Sequence, residues 1–159
     1  MKKLNFGLNY FVLLFLFLLS SCSKDSDSVS NENLSNYSVV GEWKTTSAVL
    51  NGVQKLGGTN PVKSERTLFD ADGTIYTASC SNPTFNEIDI FAISSGTWSV
   101  IGTSTLNLNE DAFYYPSFDI IGSFNINCEV LKINATKLEI RINNFPNQND
   151  IYIKKFTKI

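Results

Sequence analysis

The sequence contains no histidine. Histidine is the usual general base near neutral pH and the commonest metal ligand. Its absence excludes Ser–His–Asp and Cys–His catalysis and removes the normal ligand of zinc enzymes. The sequence also lacks a basic cluster with interleaved aromatics, so nucleic acid is not an expected partner. No second apolar run approaches the ~18 residues of a membrane-spanning helix. The carboxylates are scattered among turns and polar faces, and none pairs in a recognisable glycosidase context. No catalytic residue, metal or cofactor is expected, and the protein reads as a non-enzyme.

Cysteine is scarce and odd in number: Cys22, Cys80 and Cys128. Cys22 stands far from the other two, at the end of a greasy run. Met1-Lys2-Lys3 is a positive n-region, and Phe11–Leu19 (FVLLFLFLL) is an uninterrupted apolar h-region. Together they predict a secretory signal peptide over residues 1–21, too short to span a membrane. The alternative, a buried core helix, lacks the polar stripe of a surface helix and would not start behind two lysines.

Residues 23–36 are almost all Ser, Asn, Asp, Glu and Lys, a composition suited to a solvated tether over residues 22–38. A single domain of roughly 120 residues remains, over 39–159, large enough to hold its own core. Setting Lys2 and Lys3 aside leaves 11 of the 13 basic residues against 15 acidic ones.

The run Leu19-Ser20-Ser21-Cys22 resembles the lipobox of bacterial lipoproteins. That resemblance implies cleavage before Cys22 and acylation of its thiol and amine. One acyl chain holds a protein only marginally, whereas two or three on one residue make a lasting anchor. The expected partner is thus a membrane, reached through the N-terminal acyl anchor. Ser23-Lys24-Asp25-Ser26-Asp27 has no Asp directly after the cysteine. Its Lys-Asp-x-Asp pattern is similar to surface-export signals of the Bacteroides group of Gram-negative bacteria, though a plain tether has the same composition. The implied location is the outer membrane, facing the periplasm or the cell surface. Asp27-Ser28-Val29 also resembles that group's O-glycosylation triplet. With Cys22 assigned to the anchor, Cys80 and Cys128 are expected to pair in an oxidising compartment, two buried free thiols being the alternative.

The rest reads as strands and turns. Gly41–Leu50 ends at Asn51-Gly52, a strong turn signal. Arg66–Phe69 and Thr74–Thr77 flank Asp70-Ala71-Asp72-Gly73. Ser95–Ile101 and Ser104–Asn109 follow, and Leu106 and Leu108 share one face opposite Thr105 and Asn107. Glu129–Ile133, Lys137–Ile142 and Ile151–Phe156 are further strands, with Leu138, Ile140 and Ile142 facing the core. About eight strands, short links and no helix beyond one turn predict an antiparallel barrel or sandwich.

An order of motifs favours the barrel. Gly41-Glu42-Trp43 resembles the Gly-x-Trp that opens the first lipocalin strand. Leu68-Phe69-x-x-Asp72-Gly73-Thr74, Cys80, Ser95-Gly96-Thr97-Trp98, Thr105-Leu106 and Ala135–Ile140 follow. The series is similar to the lipocalin-like domain of Bacteroides-group lipoproteins over residues 40–157, with Asp111–Asn127 departing most. The resemblance implies an all-β, antiparallel up-and-down eight-stranded barrel, with Gly41 and Trp43 packing its base. Such a protein, expected as a monomer, binds a small apolar ligand or an envelope component. One alternative is an interaction or inhibitor module with a solid core; a lesser one is an envelope-glycan enzyme, which needs carboxylates converging in a cleft.

Three segments are candidate features. Trp98 lines a pocket mouth or packs. Phe113, Tyr114, Tyr115 and Phe118 surround Pro116 and form a binding surface or cap the barrel end; Pro116 cannot donate to a central ladder. Ile88–Ile93 reads as an edge strand or flap. Asp70–Gly73 resembles the start of a calcium loop, but Thr74 and Ser81 stand where its fifth and twelfth ligands belong, so a hairpin turn is expected.

Overall fold

The computed structural model describes residues 34–115 and 120–159, with residues 111–115, 120 and 121 described by their backbone. The signal segment, Cys22 and Ser28 lie outside the described residues, as do Pro116 and Phe118. Nine strands run in order: β1 (Gly41–Leu50), β2 (Val53–Gln54), β3 (Ser64–Phe69), β4 (Thr74–Cys80), β5 (Ile90–Ile101), β6 (Thr105–Tyr115), β7 (Ile120–Ile133), β8 (Lys137–Asn143) and β9 (Ile151–Lys158). Every long strand pairs antiparallel with its neighbour, and β9 returns to pair with β1, from Trp43↔Lys158 to Leu50↔Tyr152. The result is a closed eight-stranded up-and-down barrel, with the two-residue β2 hairpinned onto the end of β1. One three-residue 3₁₀ turn, Glu87–Asp89, is the single helical element among the described residues.

Local chemistry sets the corners. Asn51 and Gly52 both take positive φ, 48° and 82°, so the strongest turn signal in the sequence does turn the chain. Asp70–Gly73 is a hairpin turn. Gly73 N–H donates to Asp70 O at 3.1 Å, and Asp72 Oδ1 accepts from the Thr74 N–H and hydroxyl at 2.8 and 2.7 Å. Those bonds hold the Asp72 carboxyl below its ordinary range.

Closing a sheet demands strong curl, and bulges supply it. Register shifts fall at Thr45/Ser47, Ser79/Cys80, Glu110/Phe113 and Val130/Lys132. In the segment that departs most from the lipocalin-like pattern, the described residues 111–115 and 120–127 are strand. After the shift at Glu110, Phe113 pairs with Gly122, Tyr114 with Ile121 and Tyr115 with Ile120. The Phe113–Tyr115 backbone is thus the end of a hairpin strand, not a free loop. Ile88–Ile93 has a local edge, because Ile90–Ile93 pairs with β4 while the β5–β6 pairing begins only at Gly96. Its first residues make the 3₁₀ turn, and the remainder opens β5, an internal strand between β4 and β6.

The expected alternation holds at the base of the barrel. Leu106, Leu138, Ile140 and Ile142 are buried, as are Phe69, Ile75 and Phe156. Trp43 is fully enclosed and its Nε1 donates to Val39 O at 2.6 Å. Val39 is itself buried, and Leu34 and Tyr37 pack on the same cluster. Gly41 sits at φ 128° against Lys158, whose Cε would lie 2.7 Å from an added Cβ. At the far end, Phe145 of the β8–β9 loop packs edge-on to Phe124, centroids 5.3 Å apart, and against Tyr152.

The expected Cys80–Cys128 disulfide is not formed; both are buried free thiols. They lie on β4 and β7, with β5 and β6 between them. Cys128 belongs to the core, whereas the bulge at Ser79/Cys80 turns Cys80 aside, and its thiol donates to Asn86 O at 3.3 Å. Burial pushes the Cys128 thiol up to about 12.

Candidate functional site

Inward positions alternate along each strand, so a charge placed in register with the core residues must point inside. Three strands do this. On β9 the inward set is Tyr152, Lys154 and Phe156; on β3 it is Glu65, Thr67 and Phe69; on β6 it is Leu106, Leu108 and Glu110. Lys154, Glu65 and Glu110 are only 4–5% exposed. An apolar base gives way to an ionic layer.

Lys154 Nζ forms an ion pair with Glu65 Oε1, and the same oxygen accepts from Thr45 Oγ1 at 2.7 Å. Thr67 and Thr77 face each other across β3 and β4 at 3.2 Å. Glu110 is the odd member. Its Oε2 has no hydrogen-bond partner among the described residues, nor has Ser94 Oγ. Burial raises the Glu110 carboxyl above its ordinary value; the Lys154 charge and the facing Ser94 oppose this rise, and Glu65 adds to it. Two carboxylates thus share one ammonium. Tyr152, buried beside both carboxylates, is likewise raised.

Gly96 makes room for this arrangement. It lies opposite Glu110, and an added Cβ would meet the Glu110 Cα at 2.6 Å. The Gly-x-Trp repeat at Gly96–Trp98 thus marks a close strand crossing as well as a core tryptophan. Trp98 is half-buried, edge-on to Phe69 with centroids 5.8 Å apart, and its Nε1 donates to Asp70 O at 2.9 Å. That contact fastens the β3–β4 turn at the base.

The void beside these groups is lined by Thr67, Thr77, Glu110 and Lys154 with apolar neighbours, and its volume is about 10 Å³. That is room for one water, not for a sugar or an acyl chain. The convergence of Glu65 and Glu110 on Lys154 was not foreseen from the scattered carboxylates, yet one signal existed. Extending the Leu106, Leu108 alternation by two residues places Glu110 inside.

No protein-family model matches the chain, and none of the curated proteins matches it.

The outer face differs by region. On β3, β4 and β5, Leu68, Tyr76, Phe91 and Ile93 all point outward, and Ile93 is 64% exposed. Cross-strand register places Leu68 beside Tyr76, and Ala78 beside Ile93. Arg66 borders this wall, 4.3 Å from the Phe85 ring centroid and 3.0 Å from Glu42. Phe113, Tyr114 and Tyr115 lie at the end of β6, the strand next to β5; Phe118 and Cys22 fall outside the described residues.

Proposed function

We propose that the chain is a lipid-anchored, non-catalytic protein of the outer membrane that binds another envelope protein with the outside of its barrel. The lipobox-like run Leu19-Ser20-Ser21-Cys22 supports the anchor at Cys22, and the export-signal-like residues after it support the address. The observation that carries the binding reading is the filled interior. A charged layer and a void of about 10 Å³ disfavour an apolar cargo, since burying such a ligand beside Glu110 and Lys154 strips them of solvation without compensation. A contiguous apolar wall, by contrast, stands exposed at Leu68, Tyr76, Phe91 and Ile93. Exposed patches of this kind favour protein partners. The acidic residues Asp70, Asp72, Glu87 and Asp89 flank these strands, which favours a basic rim on the partner.

Native mass spectrometry of the protein drawn from its own membrane in mild detergent tests this reading. The expected species is the acylated chain with a protein partner, lost in the Tyr76→Lys/Ile93→Lys variant. A stoichiometric apolar small molecule that survives that variant would return the function to the barrel interior. The anchor is tested separately. Cys22→Ala should release the protein from the membrane fraction, and unchanged association would refute acylation there.

A further inference from the structure

On the wall opposite in strand order, β7, β8, β9 and β1 carry a group of lysines on the outer face, at the end of β9 away from outward Ile151 and Ile153. Lys132 pairs across to Glu139, and Glu139 to Lys155. One row nearer the base, Lys137 lies opposite Thr157, and Thr157 opposite Lys44. Four lysines therefore gather around Glu139 on the outer face, with the Glu129–Arg141 ion pair further along β7 and β8, in a protein whose acidic residues outnumber its basic ones. Glu139 pairs with Lys155 at 3.2 Å. Lys132 and Lys137 have no ion-pair partner among the described residues.

This face is also indented. The β8–β9 hairpin is flanked on both sides by bulged strands, at Val130/Lys132 and at Thr45/Ser47. Bulges bend the strand and re-aim side chains. Here Thr46, the unpaired residue of the β1 bulge, and Lys132, directly after the β7 bulge, both line one cleft of about 300 Å³, with Lys137, Lys155, Thr157 and Glu139. That volume reaches the lower end of small-ligand sites. Thr46 Oγ1 donates to Lys155 O at 3.1 Å, which ties the β1 bulge to the cleft floor.

We propose that this cleft binds a phosphoryl oxyanion, held by Lys132 and Lys137 with Lys155 contributing beside Glu139. The chemistry is that of point-charge phosphate recognition by lysine. The site is separate from the apolar wall and stands or falls independently of it. A free phosphate and a phospholipid headgroup share this chemistry.

Isothermal titration of the full chain in neutral-detergent micelles at low ionic strength decides it. The probes are inorganic phosphate and the short-chain lipid dihexanoyl phosphatidic acid. Saturable binding is expected for at least one. Lys132→Gln/Lys137→Gln should weaken it about tenfold or more, while Lys55→Gln/Lys63→Gln, equal in charge but outside the cleft, should change it less than about twofold. Tighter binding of the lipid assigns the site to a headgroup; equal binding assigns it to the free anion. No saturable binding of either probe, or equal losses in the two double variants, would overturn the proposal.

Discussion

The apolar base of the barrel interior and the ionic layer next to it are built on the same strands but from opposite materials. Around Trp43, the inward residues Phe69, Ile75, Leu106, Leu138 and Phe156 form an apolar base. One or two inward positions further along, those strands present Glu65, Thr67, Thr77, Glu110 and Lys154. The base is held by area removed from water, which is tolerant of exact chemistry. The ionic layer is held by mutual neutralisation, which fails as a unit when one member is lost. The comparison teaches that an amphipathic alternation fixes where a side chain points, and not whether the place it reaches is dry.

The largest effects should come from single deletions in either layer. Trp43→Ala removes the base plug and its bond to Val39, and should cost about 3–5 kcal/mol in denaturant unfolding. Lys154→Met leaves Glu65 and Glu110 facing each other without a cation, and should cost a similar ~3–5 kcal/mol. The layers differ in how they can be repaired. The triple variant Glu65→Leu/Glu110→Leu/Lys154→Met should recover parental stability or exceed it by about 1–4 kcal/mol. A triple variant as unstable as Lys154→Met alone would erase the distinction between the two layers.

A smaller effect is set by pH. The folded-state Glu110 carboxyl is raised above its ordinary 4.5. Its contribution to stability is therefore complete below that value and lost as pH rises through the folded-state value. Glu110→Gln cannot lose it. The variant should gain on the parent as pH rises above about 4.5, as read by urea midpoints at each pH. A constant offset would show that Glu110 does not titrate in the folded barrel.

Thiol chemistry gives a finer test of the same burial. Cys128, pushed up to about 12, should resist alkylation in the folded protein, as should enclosed Cys80. Both should be labelled once the chain is unfolded without reductant. Failure to label them then would restore the disulfide. The smallest effect belongs outside the barrel. The exposed Arg66–Glu42 pair should contribute no more than about 1 kcal/mol, so Glu42→Gln should barely move the unfolding midpoint.

The barrel itself was legible in the sequence, because alternation and turn chemistry act locally. Leu106 with Leu108, and Leu138 with Ile140 and Ile142, face inward as their period requires, and Asn51-Gly52 and Asp70–Gly73 turn where they should. The ionic layer was not legible, because it is a product of register among distant strands. In Ile151-Tyr152-Ile153-Lys154, hydrophobicity alone suggests that the isoleucines are inside. The pairing of β9 with β1 and β8 sends Tyr152 and Lys154 inward instead. The cysteine pairing failed for a related reason. Arithmetic on cysteine number carries no information about which face of a bulged strand each thiol takes. The β7–β9 lysine cleft escaped notice because Lys132, Lys137 and Lys155 become neighbours only in the folded wall.

The pairing of β1 with β9 has a consequence for how the protein is made. Thr46 and Lys155 meet across 109 residues of chain, and the seam they belong to is the most non-local pairing in the sheet. Such contacts form late, because the loop entropy is spent before they reward it. Until β9 has left the ribosome, the growing sheet has two raw edges open to any passing strand. Whatever guards this chain during synthesis must hold on until its last strand arrives.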